Sequence, residues 1–328
     1  MAETQSHSVA GGGAITSAPV GITVKFRQKP PEPLSVAIDR VFSLGGSIAE
    51  VSYRFPFQGG HRRISELSGR ETREVIEQFG RLERVSFHGP IGNIFLTNVE
   101  VREAVTHSLR LGVQEAALIG AGVMVLHLEP IFPNLEFRET ELKRTAELLR
   151  DLAEYGACYG VKIGLETEYP YTVRDYLALI DEVAHPYFGA TLDVGHLWDR
   201  RVPYHSYISR EELAGAGGIA AYNALLLELA AALLSRGKLF HTHLHQHRLE
   251  AALAEDWPYG SCDHWALEEG IIDIPAYFRL LRRHGYSGLA ICELSRGKGG
   301  PQVGSITDEE IAASLALAKK WWLEAAPL

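Results

Sequence analysis

Short apolar runs alternate with longer amphipathic segments along this chain. Strand-like runs fall at 21–26, 48–53, 84–88, 123–128, 161–166, 188–193, 238–244 and 288–293. Helical spacing marks the segments near 34–44, 70–80, 101–120, 139–159, 172–184, 216–236, 273–284 and 307–324. In the clearest of these, Leu142, Ala146, Leu149, Leu152 and Tyr155 line one face. Glycine punctuates the joints, as at Gly120-Ala-Gly122, Tyr159-Gly160 and His284-Gly285. Ser68, Thr172 and Thr307 stand where helix N-caps belong, and Glu71 and Glu310 follow the first and last of them at capping-box spacing.

Eight strand–helix units in one series predict a parallel sheet, and eight such units close into a (β/α)8 TIM barrel. An open doubly wound sheet would want a Gly-rich phosphate turn after an early strand. Gly11-Gly12-Gly13 has no strand before it. The expected organisation is therefore an α/β chain with a flexible tail over 1–20 and one barrel domain over 21–328. Two strand-to-helix connections are long, one from Leu197 to about Gly215 after the sixth strand and one from His245 to about Ile272 after the seventh. The second carries Trp257, Tyr259, Cys262, His264 and Trp265. Long connections at this end of a barrel are usually functional.

The runs end on a set of side chains that carry chemistry. His88, His127, Glu166, Asp193, His243 and Glu293 close successive apolar runs, and His196 follows Asp193 by three residues. Barrel active sites sit where the strands end. Residues two apart in a strand face the same way, so Glu166, Asp193 and Glu293 each end one face of a buried strand. Carboxylates so placed must be paired or metal-bound. Two Glu and one Asp together would repel unless a cation sits among them. His241, His243, His245 and His247 share one parity, so they cannot all be ligands of one ion. His243 is the best placed at the mouth, His241 lies one layer deeper, and the other two rise into the loop.

Composition narrows the classes. Net charge is −9, from 41 acidic and 32 basic residues, which argues against nucleic acid as the main partner. The three cysteines, Cys158, Cys262 and Cys292, are widely spaced without a CxxC pair, which suggests reduced thiols and a cytoplasmic setting. No basic start followed by an apolar stretch marks a signal peptide. No run is read as approaching the ~20 apolar residues of a membrane span.

With these residues in hand, the chain resembles the xylose isomerase-like barrel superfamily, which includes sugar epimerases, inosose-processing enzymes and apurinic endonucleases of the endonuclease IV type. The resemblance covers roughly 21–325. It is carried by Phe87-His88-Gly-Pro90, Leu126-His127, Gly164-Leu-Glu166-Thr167, Leu192-Asp193-Val-Gly-His196, His243-Leu-His-Gln246, Asp263-His264, Glu269-Gly270-Ile-Ile-Asp273 and Cys292-Glu293. It implies one Mn, Co, Mg or Zn ion held by Glu166, Asp193, His243 and Glu293, with the two Glu as an acid/base pair. The endonuclease branch implies three zincs and further ligands at His88, His127, His196 and His264. Its additional Asp falls on Cys262 here, where Asp263 or the Cys262 thiolate would have to stand in.

The first expectation is thus a divalent-metal-dependent isomerase or epimerase acting on a small sugar or polyol-derived ketone through an enediolate. The alternative is a multi-zinc hydrolase, such as a phosphodiesterase. His196 and Arg248 are expected to bind substrate oxygens, and Trp257, Tyr259 and Trp265 to wall the pocket, since sugars present apolar faces that pack on aromatic rings. The Gly-rich stretch from Ser295 to Ser305, with Arg296 and Lys298, is read as an exposed loop, which favours a non-phosphorylated substrate. Self-association is left open.

Overall fold

The computed structural model describes residues 18–24, 32–53, 55–57, 60–92, 98–128, 139–167, 170, 172–198, 207–249, 262–268, 270–295 and 306–325. Eight parallel strands form a closed barrel: β1 (Val20–Thr23), β2 (Ile48–Ser52), β5 (Arg84–His88), β6 (Val123–Leu126), β7 (Lys162–Glu166), β8 (Phe188–Asp193), β9 (Leu239–Leu244) and β10 (Leu289–Cys292). They follow one another around the barrel in chain order, and β1 pairs with both β10 and β2 to close it. All the predicted barrel strands are present, and the largest boundary difference is at β1, which ends at Thr23 rather than at 26.

Around the barrel lie α1 (Leu34–Ser43), α2 (Gly69–Phe79), α3 (Val99–Leu118), α4 (Glu139–Tyr159), α5 (Val173–Val183), α6 (Arg210–Ala214), α7 (Gly218–Ser235), α8 (Ile274–Arg283) and α9 (Asp308–Glu324). The caps form as the sequence predicts. Ser68, Thr172 and Thr307 accept from the backbone N–H groups of Glu71, Asp175 and Glu310, and the Glu71 and Glu310 carboxylates return bonds to the cap N–H of Ser68 and Thr307. In α8, Ile274, Tyr277, Phe278 and Leu281 repeat at i, i+3, i+4 and i+7, and all four are buried. On α4, Ala146, Leu149 and Leu152 are buried, with Leu142 and Tyr155 partly buried beside them.

Three features were not expected from the sequence. A hairpin of β3 (Phe55–Phe57) and β4 (Gly60–Arg62) follows β2. The chain just beyond it is tied to α3, because Arg63 pairs with the buried Glu115 at 2.8 Å. The short helix α6 interrupts the long connection after β8. The third is the apolarity of α7, a helix the sequence does predict: at mean hydropathy 1.6 it is long and apolar enough to cross a membrane, contrary to the reading that no run approaches a span. Here its Tyr222, Leu226, Leu229 and Leu233 are buried, and the helix packs against β9, α5 and α8.

The barrel lumen is layered. Ile48, Leu289 and Ile291 form a small apolar plug separate from the main core between sheet and helices. Parity then lifts Glu50 above Ile48 and Glu293 above Ile291. A bulge between β8 and β9 pairs Ala190 with Leu239 but Thr191 with His241, and it brings Asp193 and His243 level with each other. A cavity of about 370 Å³, lined by Arg84, Lys162 and Phe240 among others, opens where the strands begin. The carboxylates lie at the opposite end, where barrel chemistry is located, so this cavity is not the candidate site.

Candidate metal centre

Four strand ends bring one donor set together. Atoms of Glu166 (β7), Asp193 (β8), His243 (β9) and Glu293, one residue past β10, all lie within 4.8 Å of one another. His243 Nδ1 is 3.2 Å from Glu293 Oε2, 3.4 Å from Glu166 Oε1 and 3.6 Å from Asp193 Oδ2. Metal–ligand bonds of ~2.0–2.3 Å place donors on opposite sides of an ion roughly 4–4.6 Å apart, so this spacing fits one divalent cation. Asp193 supplies the sharpest test of that fit. Its Oδ1 accepts from the Gly195 N–H at 2.7 Å and lies 2.8 Å from His245 Nε2. Its Oδ2, equally buried, has no hydrogen-bond donor among the described residues. An ionised oxygen left so would be costly, and a cation is the partner it suits.

The electrostatics agree. Burial pushes the Glu166 carboxyl up, but His127 and His243 outweigh it and hold the group well below the usual carboxylate range. Asp193 is likewise pushed up by burial and held well below its ordinary value by His196, His245 and His243. Glu293 is lowered by His243 and His264 against the same burial effect. His243 shows the reverse: burial lowers it, while Glu50, Glu166 and Glu293 carry it well above the ordinary imidazole value. Protonated imidazole here does what an ion would do, which is to neutralise clustered carboxylates.

Further imidazoles surround this set. His127 Nε2 lies 2.7 Å from Glu166 Oε2 and 3.0 Å from His88 Nε2. On the other side His196 Nδ1 lies 3.2 Å from Glu166 Oε1, and its Nε2 faces His264 Nε2 at 3.4 Å. Three more sets have ligand geometry: His88, His127 and Glu166; His196, His245 and His264; and Glu50, His241 and His243. In the second of these, His245 is the third donor rather than Cys262 or Asp263. The buried Asp263 carboxyl is instead held down by the His264, His196 and His245 charges, against burial. His264 adopts φ 57°, the left-handed region that costs a non-glycine residue about 1 kcal/mol or more. Its N–H donates to His245 Nδ1 at 2.9 Å, and the two rings stack at 4.2 Å.

Arg248 and Trp265 are brought together, with the guanidinium 4.6 Å from the ring centroid. Backbone bonds between Gln246 and Trp265, and from the Arg248 N–H to Cys262 O, hold their two segments side by side. Trp257, Tyr259, Glu269, Arg296 and Lys298 lie outside the described residues. His247 is buried beyond the strand against the rings of Trp198 and Tyr222.

Two site residues escaped the sequence reading. Gly195 leaves room for His245: a Cβ there would stand 1.9 Å from His245 Cε1. Glu50, on β2, is buried in the lumen beneath the carboxylate set, 3.0 Å from His243 Nε2. A carboxylate two residues above Ile48 on the lumen face was the available signal, and it was missed because Glu50 lies inside its strand rather than at its end.

Comparison with known proteins follows the same line. A search against curated protein sequences gives no match. A D-tagatose 3-epimerase-like protein shares the fold at TM-score 0.64 and 18% identity, over 93% of this chain and 97% of that one. D-psicose 3-epimerase from Clostridium cellulolyticum, solved with D-tagatose, aligns at TM-score 0.61 and 17% identity, over 92% and 99%. Protein TTHB071 from Thermus thermophilus, soaked with ZnCl2, aligns at TM-score 0.58 and 19% identity, over 94% and 99%. The family model described as xylose isomerase-like TIM barrel matches residues 38–321, and the chain belongs to that family.

Proposed function

We propose that this protein is a divalent-metal-dependent isomerase or epimerase acting on a small sugar or polyol-derived ketone. The observation that carries the reading is the pair Glu166 and Glu293 on either side of the Asp193–His243 donors. Moving a proton next to a carbonyl requires a base, an acid and stabilisation of the oxygen that gains charge. A divalent ion, when bound, supplies that stabilisation as a Lewis acid. Glu166, Asp193, His243 and Glu293 would hold it. Three carboxylates and one imidazole lie between the oxygen-rich sets of Mg and Mn and the imidazole-richer sets of Co and Zn.

The two Glu differ in a way that suits an acid/base pair. Glu166 is fully buried and ringed by imidazoles, whereas the Glu293 side chain retains 15% of its exposure. Glu293 is the more open of the two and would meet the substrate carbon from one face. Glu166 would exchange the proton on the other, through an enediolate. His196 and Arg248 would bind substrate oxygens, and Trp265 would contribute an apolar wall. Structural neighbours named as a D-psicose 3-epimerase and a D-tagatose 3-epimerase-like protein support this substrate class. The acidic net charge weighs against nucleic acid, and the three free cysteines support a cytoplasmic setting.

A second reading, a multi-zinc phosphodiester hydrolase, is favoured by a specific observation. Two pairs of imidazole nitrogens face each other at 3.0 and 3.4 Å beside the central set. Two measurements separate the readings. Isomerisation expects one bound ion per chain and deuterium uptake from D2O into ketose product, with the rate cut ~10²–10⁴-fold in Glu293→Gln. Two or three bound ions, with cleavage of bis(p-nitrophenyl) phosphate and no ketose exchange, would replace the first reading with the second.

A further inference from the structure

A buried carboxylate that the proposed chemistry does not use lies under the site. Glu50 sits on β2, across the lumen from β9, and is 1% exposed. Its Oε1 lies 3.0 Å and its Oε2 3.2 Å from His243 Nε2. Ser86, its register partner on β5, donates to Oε2 at 3.2 Å, and Ser86 Oγ in turn lies 3.0 Å from His241 Nε2. The carboxylate therefore stands at the centre of a polar layer between the apolar plug of Ile48, Leu289 and Ile291 below and the four-donor set above.

Imidazole has two nitrogens, and only one can present a lone pair to an ion while the other carries hydrogen. His243 Nδ1 faces Glu166, Asp193 and Glu293, and Nε2 faces Glu50. We propose that Glu50 is the positioning residue of this centre: it accepts the Nε2–H of His243, fixing the ring plane and the tautomer that leaves Nδ1 for the ion. A carboxylate behind a ligand imidazole also raises its basicity, and loss of such a partner typically weakens metal binding ~10–100-fold. Keeping a full charge in the lumen merely to satisfy Ser86 and His241 would be a poor arrangement, since an apolar side chain of similar volume beside the plug would avoid its desolvation.

The affinity arm of the test rests on the metal reading above, whereas the spectroscopic arm does not. With ¹⁵N-labelled histidine and His243→Asn to assign the signal, wild type should show a downfield, slowly exchanging Nε2–H on His243, both metal-free and with Zn²⁺. That proton should lose its shift and protection in Glu50→Leu. Zn²⁺ affinity, measured by chelator competition, should fall at least tenfold in Glu50→Gln with circular dichroism unchanged. A protected Nε2–H that persists unaltered in Glu50→Leu, or its absence from wild type, overturns the proposal. So does Zn²⁺ affinity within twofold of wild type in folded Glu50→Gln. A wild type that binds no Zn²⁺ refutes the metal reading instead, and the Nε2–H signal then decides the role of Glu50 alone.

Discussion

Metal loading should flatten the fall of stability with pH above about pH 6.5. In the metal-free protein, His243 is carried well above its ordinary 6.5, and His245 is raised as well, by Asp193 against burial. A raised imidazole stabilises the fold fully below about pH 6.5, and that contribution is lost as pH rises through the folded value. Glu166 and Asp193 are shifted the other way, so their contribution is full above the ordinary carboxylate values of 4.5 and 3.8 and is lost as pH falls through the depressed ones. Burial lowers His88 and His241, so their contribution is lost as pH falls below about 6.5, and metal-free protein should be most stable near about pH 6.5 and weaken on either side.

An ion bound at Nδ1 of His243 must displace its proton, so affinity rises with pH while that proton is present. One proton released per ion corresponds to about 1.4 kcal/mol per pH unit. For a chain of this size, about 2 °C of Tm accompanies each kcal/mol. The gap in Tm between zinc-loaded and metal-free protein should thus widen by about 3 °C per pH unit between about pH 6.5 and 8. At a hundredfold excess over Kd, binding contributes about 2.7 kcal/mol, which on the same scale is a gap of roughly 5 °C. Differential scanning calorimetry at fixed free zinc, in buffers of matched ionic strength, measures it. A gap constant across this range would mean that no His243 proton is displaced, and the assignment of Nδ1 as a ligand atom would fail.

Two further outcomes follow from packing. Gly195→Ala would drive a methyl into the His245 ring, so it should lower Tm by several degrees, consistent with the ~1–3 kcal/mol of overpacking. It should also weaken metal retention if His245 keeps Asp193 aligned, and thermal melts with metal analysis read both. Among the cysteines, burial pushes Cys292 up to about 12, while Cys158 is exposed. Iodoacetamide at about pH 8 should therefore modify Cys158 in the native protein and reach Cys292 only after unfolding, as peptide mass mapping would report.

The barrel was legible because its periodicities are local. Each strand is a short buried run whose limits the neighbouring glycines and caps define, and the ligand-type residues at the strand ends stand out because a carboxylate closing an apolar run has few uses. The elements that were missed lack such signals. The β3–β4 hairpin places Pro56 in a three-residue strand, a position that reads as loop. The bulge that brings Asp193 level with His243 is a property of pairing, not of either segment.

The same distinction explains the site. Asp193 and His243 announce themselves one strand at a time, and parity alone chose His243 from four alternating histidines. What parity could not supply was the second nitrogen's partner. Glu50 meets His243 from 193 residues earlier in the chain, across a lumen that exists only once the barrel closes. His245, which parity sent into the loop, turns back to Asp193 because the chain beyond Leu244 pairs with the segment around Trp265, and because Gly195 leaves the imidazole room. Residues that would hold the ion were readable from strand ends, whereas residues that aim those ligands become visible only through contacts between strands distant in sequence. If Glu50 proves dispensable for the His243 Nε2–H, that division is wrong in the one place where it makes a claim about chemistry.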